Sequence, residues 1–572
     1  MEKALFSIAK NAYFRRGAYF GIMAQGEDFG YARLFLISRR GAVHSEYERG
    51  KLLEFFPTHE GEKVPFAVKA TATEVVIETR YGSLRICFPE HGLLLVQGDP
   101  GLGLTFQRKF KAHEMMKPRG SKSFEAIFMY ICTMVFTPVR GQGVLDAPWS
   151  LEDFSTPIAK LALMPKPGEG LCLAIEEFTH SGTVRRRYPA YADGLAAVEA
   201  EWQAFLATIP HFKPPYEARR EEAAFMLWMH LVSPMGMIKR PFIFMFPAAN
   251  ASSWQMCENA MALGSIDPAL SIELLLNMFD HQSPAGQLPD AYNDSRGAMY
   301  LIKPPQQGWA LKYLLARQPD LGAKVPAAKL KALYSGMVRW ADWFFKWRDD
   351  DHDGIPQYEH PDECGMDDCS VFKKSFCMET PDLCAYIVLI YEALGDLARV
   401  LGMAEAVRAD WYAKAKALTD RMVETFWNGE RFTAMVSGTH ELVLTDSLLY
   451  YIPIILGHRL PQAILDKLTA DLSREGAFLT PYGVASESLH SDNLALGGRL
   501  SLGTVIPPCS MLICLGLEEA GEQRLAKEYA TRYCQAMVAG GLSFLIDPNH
   551  GAAGTAGSWG SCAFITLAQM CD

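Results

Sequence analysis

The feature that most constrains this chain is a change of hydrophobic rhythm near residue 200. Up to that point, short segments rich in β-branched and aromatic residues alternate with turns, as in "ARLFLISRRG", "VPFAVKATATEVVIETRYG" and "HGLLLVQGDPGLGLTFQRKF". Several carry the period-two alternation of half-buried strands, punctuated by Gly, Pro and Asp. From about 216 onward, segments such as "DPALSIELLLNMFDHQ" and "LKALYSGMVRWADWFFKWRD" repeat apolar residues at i, i+3, i+4, the rhythm of a helix with one buried face. The reading is an antiparallel β-sandwich over 1–215, closing with a helical stretch (192–210) and a linker ("HFKPPYEARREE"), then a helical domain over 216–572. Such a length accommodates about a dozen helices of three or four turns, as many as an (α/α)6 barrel of six hairpins uses. Periodicity alone does not separate that barrel from another helical array.

Charge and composition narrow the partners. A net charge of -10 over 572 residues supplies no basic face for nucleic acid or an anionic membrane. The basic clusters "VRRRY" and "EARREE" are short, flanked by acids, and read as solvated surface. No apolar run reaches the ~18 residues a membrane helix needs, and the first residues lack the pattern of a cleaved leader. Thirteen cysteines, irregularly spaced among apolar residues, fit reduced thiols rather than a disulfide framework, hence a cytoplasmic protein.

Chemistry concentrates in "RDDDHDGIPQYEH" and the adjoining "PDECGMDDCSVF". Asp349, Asp351, Asp353 and Gly354 have the D-x-D-x-D-G form of a calcium loop, with carboxylates at alternate positions and a glycine for the turn. His360 stands where an EF-hand has its closing Glu, so Glu359, or else Glu363, is the expected fourth ligand of a structural calcium. No cofactor is expected for the chemistry itself.

These segments, with "SSWQMCENAMALGSIDPALSIELL", "GQLPDAYND", "KPPQQGWAL", "TPDLCAY", "PPCSMLICLGL" and "IDPNHGAAGTAGSWGSCAF" in this order, resemble the six-hairpin enzymes of glycoside hydrolase family 63. The resemblance covers nearly all of 230–572 and implies a β-sandwich followed by an (α/α)6 barrel that acts on a small carbohydrate or glycoside. It places the general acid at Asp367, in "GMDDCSVF", where a carboxyl with a raised pKa would protonate the leaving oxygen. Asp368 is the neighbouring carboxylate available to raise it. Sugar contacts are expected from Trp254, Gln255, Asp290, Tyr292, Gln306, Trp309, Tyr358, Asp368 and Trp559.

The departures are as informative. Where the family carries its second carboxylate this chain has Phe544; the W-D pair reads Trp254-Gln255, and the R-G-P-x-W segment reads Leu502-Gly503-Thr504-Val505-Ile506. Three readings follow. One is an inverting hydrolase with a relocated base, Glu487 in "YGVASESLHSD" or, second, Asp547. Another is a phosphorylase-like or other base-free enzyme that binds an anion in the loop 549–561. The last is a non-catalytic carbohydrate-binding descendant.

Overall fold

The computed structural model describes residues 6–9, 11–25, 33–41, 50–245, 251–554 and 557–571. Two antiparallel sheets form the first layer pair. One runs Phe20–Gln25, Arg33–Ser38, Lys51–His59, Leu102–Arg108, Ala159–Met164, Gln142–Asp146 in spatial order. The other runs from Met115–Arg119 through Cys132–Arg140, Gly170–Phe178 and Leu93–Pro100 to Ala67–Ala70. The segment "HGLLLVQGDPGLGLTFQRKF" therefore serves both sheets. It turns from one to the other at Gly101, whose φ of 82° suits a residue without a β-carbon. Inward side chains meet between the layers, where Phe106 of one sheet packs on Phe136 of the other at 4.9 Å.

The linker reading needs one correction. Arg220 of the "EARREE" cluster is not solvated surface. It is 8% exposed and donates to the carbonyls of Leu206, Ile209 and Pro210. Those carbonyls terminate the Tyr191–Leu206 helix and its tail, and a helix end buried without partners is costly. The arginine supplies the missing donors.

The helical part closes on itself. Six inner segments, Ser253–Leu263, Gln307–Arg317, Pro381–Val400, the kinked Leu448–Arg459, Pro507–Glu519 and Gly557–Ala568, each touch the next, and the last returns to the first. Outer helices such as Ala327–Trp347 show one buried stripe (Leu330, Leu333, Met337, Trp340, Ala341, Phe344), whereas Ser253–Leu263 is buried on every side. This difference separates an outer from an inner helix of an (α/α)6 barrel. Two of the inner helices start at prolines that need no donor at the first turn, Pro381 and Pro507. Among the described residues no helix is long and apolar enough to cross a membrane.

Candidate active site

A cavity of about 450 Å³ opens where inner helices begin, lined by Trp254, Pro508 and Trp559 from three first turns and by the loops that precede or follow them. Its walls are aromatic. Trp254 meets Trp559 edge-on at 4.7 Å, and Phe544 stacks on Trp559 at 5.4 Å. The Trp559 indole donates to Glu258, a buried carboxyl one helical turn below Trp254 that burial pushes up to about 8.

Its polar side is built on Lys303. The Lys303 ammonium donates to the Asp362 carbonyl at 2.7 Å and lies 2.6 Å from the Asp362 carboxylate, 3.8 Å from Asp290 and 4.0 Å from Asp367. Burial disfavours the ammonium, but the three carboxylates outweigh it and hold Lys303 above its ordinary range.

Local structure explains how two of these carboxylates come together. His360 accepts from the Asp362 amide and starts the one-turn helix Pro361–Cys364. Gly365 ends it with φ 76°, and a β-carbon there would sit 2.6 Å from the Trp254 ring. The chain can therefore reverse tightly over the tryptophan and return Asp367 to the face that Asp362 occupies. Asp368 anchors the turn from outside, accepting the amides of Leu500 (3.1 Å) and Ser501 (2.6 Å).

Asp362 and Asp367 are hydrogen-bonded, and their environments drive them apart. Burial raises Asp362, but Lys303 and the bond to Asp367 prevail and hold it below the usual carboxylate range. Enclosure by the cavity walls pushes Asp367 up to about 7, against Lys303 and with help from the charges of Asp362 and Asp368. The Asp367 side chain is nevertheless 53% exposed, so it faces the cavity space. Asp290, from a different loop, is raised to about 6 by burial, with Lys303 opposing and Asp362 adding. Adjacent carboxyls with diverging pKa values are the pattern of acid and base pairs.

The expected contact residues divide. Trp254, Asp290, Asp367 and Trp559 line the cavity. Gln255 is buried and donates to Ser558 at 2.7 Å, Tyr292 donates to Asn277, and Tyr358 donates to Asp382 at 3.0 Å; all three serve the core. Gln306 is also fully buried, outside the lining. Trp309 faces a smaller cavity at the other end, where the inner helices finish. Glu487 is fully buried, its two oxygens accepting from Ser370 (2.7 Å) and Ser491 (2.6 Å), and it does not reach the cavity. Asp547 accepts from the amides of Asn549 and His550 in its own turn. Of the described residues in loop 549–561 only Trp559 lines the cavity; Thr555 and Ala556 lie outside the described residues. Lys303, Asp362 and Tyr300, which do line it, escape sequence reasoning. Lys303 and Asp362 sit inside quoted segments but on no periodic face.

The D-x-D-x-D-G loop also departs in detail. Ligand atoms of Asp351, Asp353 and His440 lie within 4.8 Å of one another, and Asp349 keeps one buried oxygen without a donor. Glu379, fully buried, is raised to about 7 by burial, with Ser437 opposing and Asp353 and Asp351 adding. The expected ligand Glu359 instead pairs with Arg348, the cation that Glu363 also accepts from at 2.8 Å. The residues at the loop fit a divalent cation, with Glu379 and His440 in the place assigned to Glu359.

Comparison with known proteins agrees with this architecture. The family model for the mannosylglycerate hydrolase MGH1-like glycoside hydrolase domain matches residues 248–561. The crystal structure of the GH63 mannosylglycerate hydrolase from Thermus thermophilus in complex with glucose aligns with a TM-score of 0.52 at 18% identity, over 61% of this chain and 98% of that one. The same enzyme in complex with Tris and D-glycerate aligns with a TM-score of 0.52 at 16% identity, over 62% and 100%. At these identities the likeness shows the fold, the (α/α)6 barrel. A search of curated proteins finds no match. With a family model that spans more than half of its residues, the chain belongs to the mannosylglycerate hydrolase MGH1-like glycoside hydrolase family.

Proposed function

We propose that this protein hydrolyses the glycosidic bond of a small glycoside with inversion, Asp367 donating the proton to the leaving oxygen and Asp290 activating the water. The observation that carries the reading is the Asp362–Lys303–Asp367 arrangement in an aromatic-walled cavity. Enclosure by the cavity walls, helped by the ionised Asp362, keeps Asp367 protonated near neutrality, which is what departure of an alkoxide requires. Asp362 is the positioning carboxylate. Lys303 spaces Asp290 from Asp367, since the two carboxyls approach the ammonium at 3.8 and 4.0 Å. Those contacts turn both carboxyls to the same part of the cavity; inversion requires that they flank the scissile bond with room for a water between them.

Asp290 takes the role first given to Glu487, because it faces the cavity and Glu487 does not. Phe544 at the family's base position is a wall of the same cavity, so the loss of one carboxylate accompanies a second one from another loop. A structural divalent cation would be held at Asp351, Asp353 and His440, with Asp349 and Glu379 beside them; it takes no part in the chemistry. All thirteen cysteines are free thiols, which supports a reducing compartment.

The test is NMR product analysis on a panel of α- and β-glycosides, with and without inorganic phosphate. The expected result is a free sugar that appears with inverted anomeric configuration at a phosphate-independent rate. A sugar 1-phosphate would establish phosphorolysis instead. Saccharide binding with no turnover in any arm would establish the binding-module reading.

A further inference from the structure

The balance of charge in the cavity bears on what enters it. Three carboxylates, Asp290, Asp362 and Asp367, line it against one cation, Lys303. The remaining described lining residues are apolar, aromatic or neutral polar. Leu500 lines the wall, but the neighbouring Arg499 does not. Lys303 is already committed to the three carboxylates at 2.6, 3.8 and 4.0 Å, so among the described lining residues no cation is left to receive an incoming anion. Helix N-termini at the rim add positive potential. That effect is a fraction of a charge confined to the first turn, and the helix bearing Pro508 begins with two prolines.

One further atom marks a place for a ligand hydroxyl. Ser252 lines the cavity, is 6% exposed, and its hydroxyl has no hydrogen-bond partner among the described residues. An unpartnered hydroxyl beside three carboxylates that share one ammonium suits a ligand rich in O–H or N–H groups.

We infer that the cavity selects uncharged or amine-bearing saccharides and rejects those that carry a carboxylate, so that the acid half of a glycosyl-glycerate is a poor fit here. This rests on the carbohydrate reading above and deepens it. A carboxylate placed among these groups meets repulsion in a partly desolvated site, where a single charge at a few ångströms outweighs several neutral contacts. An ammonium in the same place adds a second cation to a site whose three carboxylates share one.

The experiment is isothermal titration at about pH 7.5 and low salt with D-glucose, 6-amino-6-deoxy-D-glucose and D-glucuronate, their manno counterparts, and D-glycerate. In each series the probes share one ring and differ at one carbon. The amino sugar is expected to bind about tenfold tighter than the neutral parent, and the uronate about tenfold weaker. Glycerate should give no measurable heat, and added salt should narrow the spread. Asp290→Asn, checked for an unchanged fold by circular dichroism, should remove most of the amine preference. Uronate or glycerate binding as tightly as the neutral sugar would overturn the inference and leave the carbohydrate reading standing. Absence of binding by every sugar in both series would overturn that reading, and this inference with it.

Discussion

At the residue scale, the account turns on how one ammonium distributes three carboxyls. With Asp290 ionising at about 6 and Asp367 holding its proton to about 7, kcat/KM should follow a narrow bell between those limbs. Asp362 raises Asp367 by its charge, so Asp362→Asn removes the carboxylate nearest Lys303, lowers the Asp367 pKa, and should move the alkaline limb to lower pH. A pH–rate profile of the variant checks this, and an unmoved limb would contradict the coupling. Glu487 gives the complementary prediction. Its buried oxygens serve Ser370 and Ser491, so Glu487→Gln should cost ~1–3 kcal/mol of stability by chemical denaturation while both limbs stay in place.

At the scale of elements, what was legible and what was not follow different physics. Strands and helices announced themselves because burying one face imposes a period, and Ala327–Trp347 carries its stripe openly. The cavity residues lie on turns, where no period exists. Asp367 stands out only through the company of its motif, Lys303 and Asp362 carry no mark of their own, and Tyr292 and Tyr358 read as sugar contacts because an aromatic residue looks alike in a wall and in a core. Arg220 was misread for a related reason, since its partners are carbonyls, which leave no mark in a sequence. Closeness between elements is equally silent. Gly308 lies so near the Pro381–Val400 helix that a β-carbon would be 2.3 Å from the Ile390 nitrogen. Gly308→Ala should therefore force two inner helices apart and cost at least ~1–3 kcal/mol, read from the denaturation midpoint. At the D-x-D-x-D-G loop, a chelator should lower the melting temperature of the wild type and leave Asp351→Asn unaffected, because a cation that binds only the folded state stabilises it.

At the scale of the whole molecule, the sandwich and the barrel are joined by buried polar contacts as well as by packing. Arg39, fully buried, donates to the Ala18 and Met229 carbonyls and lies over the Phe14 ring at 4.1 Å. The Gly17 amide donates to Leu231 at 2.8 Å. Replacing Arg39 by Leu should strand those carbonyls and lower the melting temperature while saccharide affinity is retained. The sandwich thus braces the barrel on which the cavity loops are mounted, and the function proposed for that cavity reduces to one proton on Asp367. The measurement that tests it most directly compares wild type with Asp367→Asn on two glycosides of one sugar, one with an alkyl leaving group and one with a dinitrophenyl leaving group. The account predicts a fall of about 10²–10⁴ on the alkyl glycoside and near-normal turnover on the dinitrophenyl one, whose departure needs no proton. Equal losses on both, or none on the alkyl glycoside, would contradict the assignment of Asp367 as the acid.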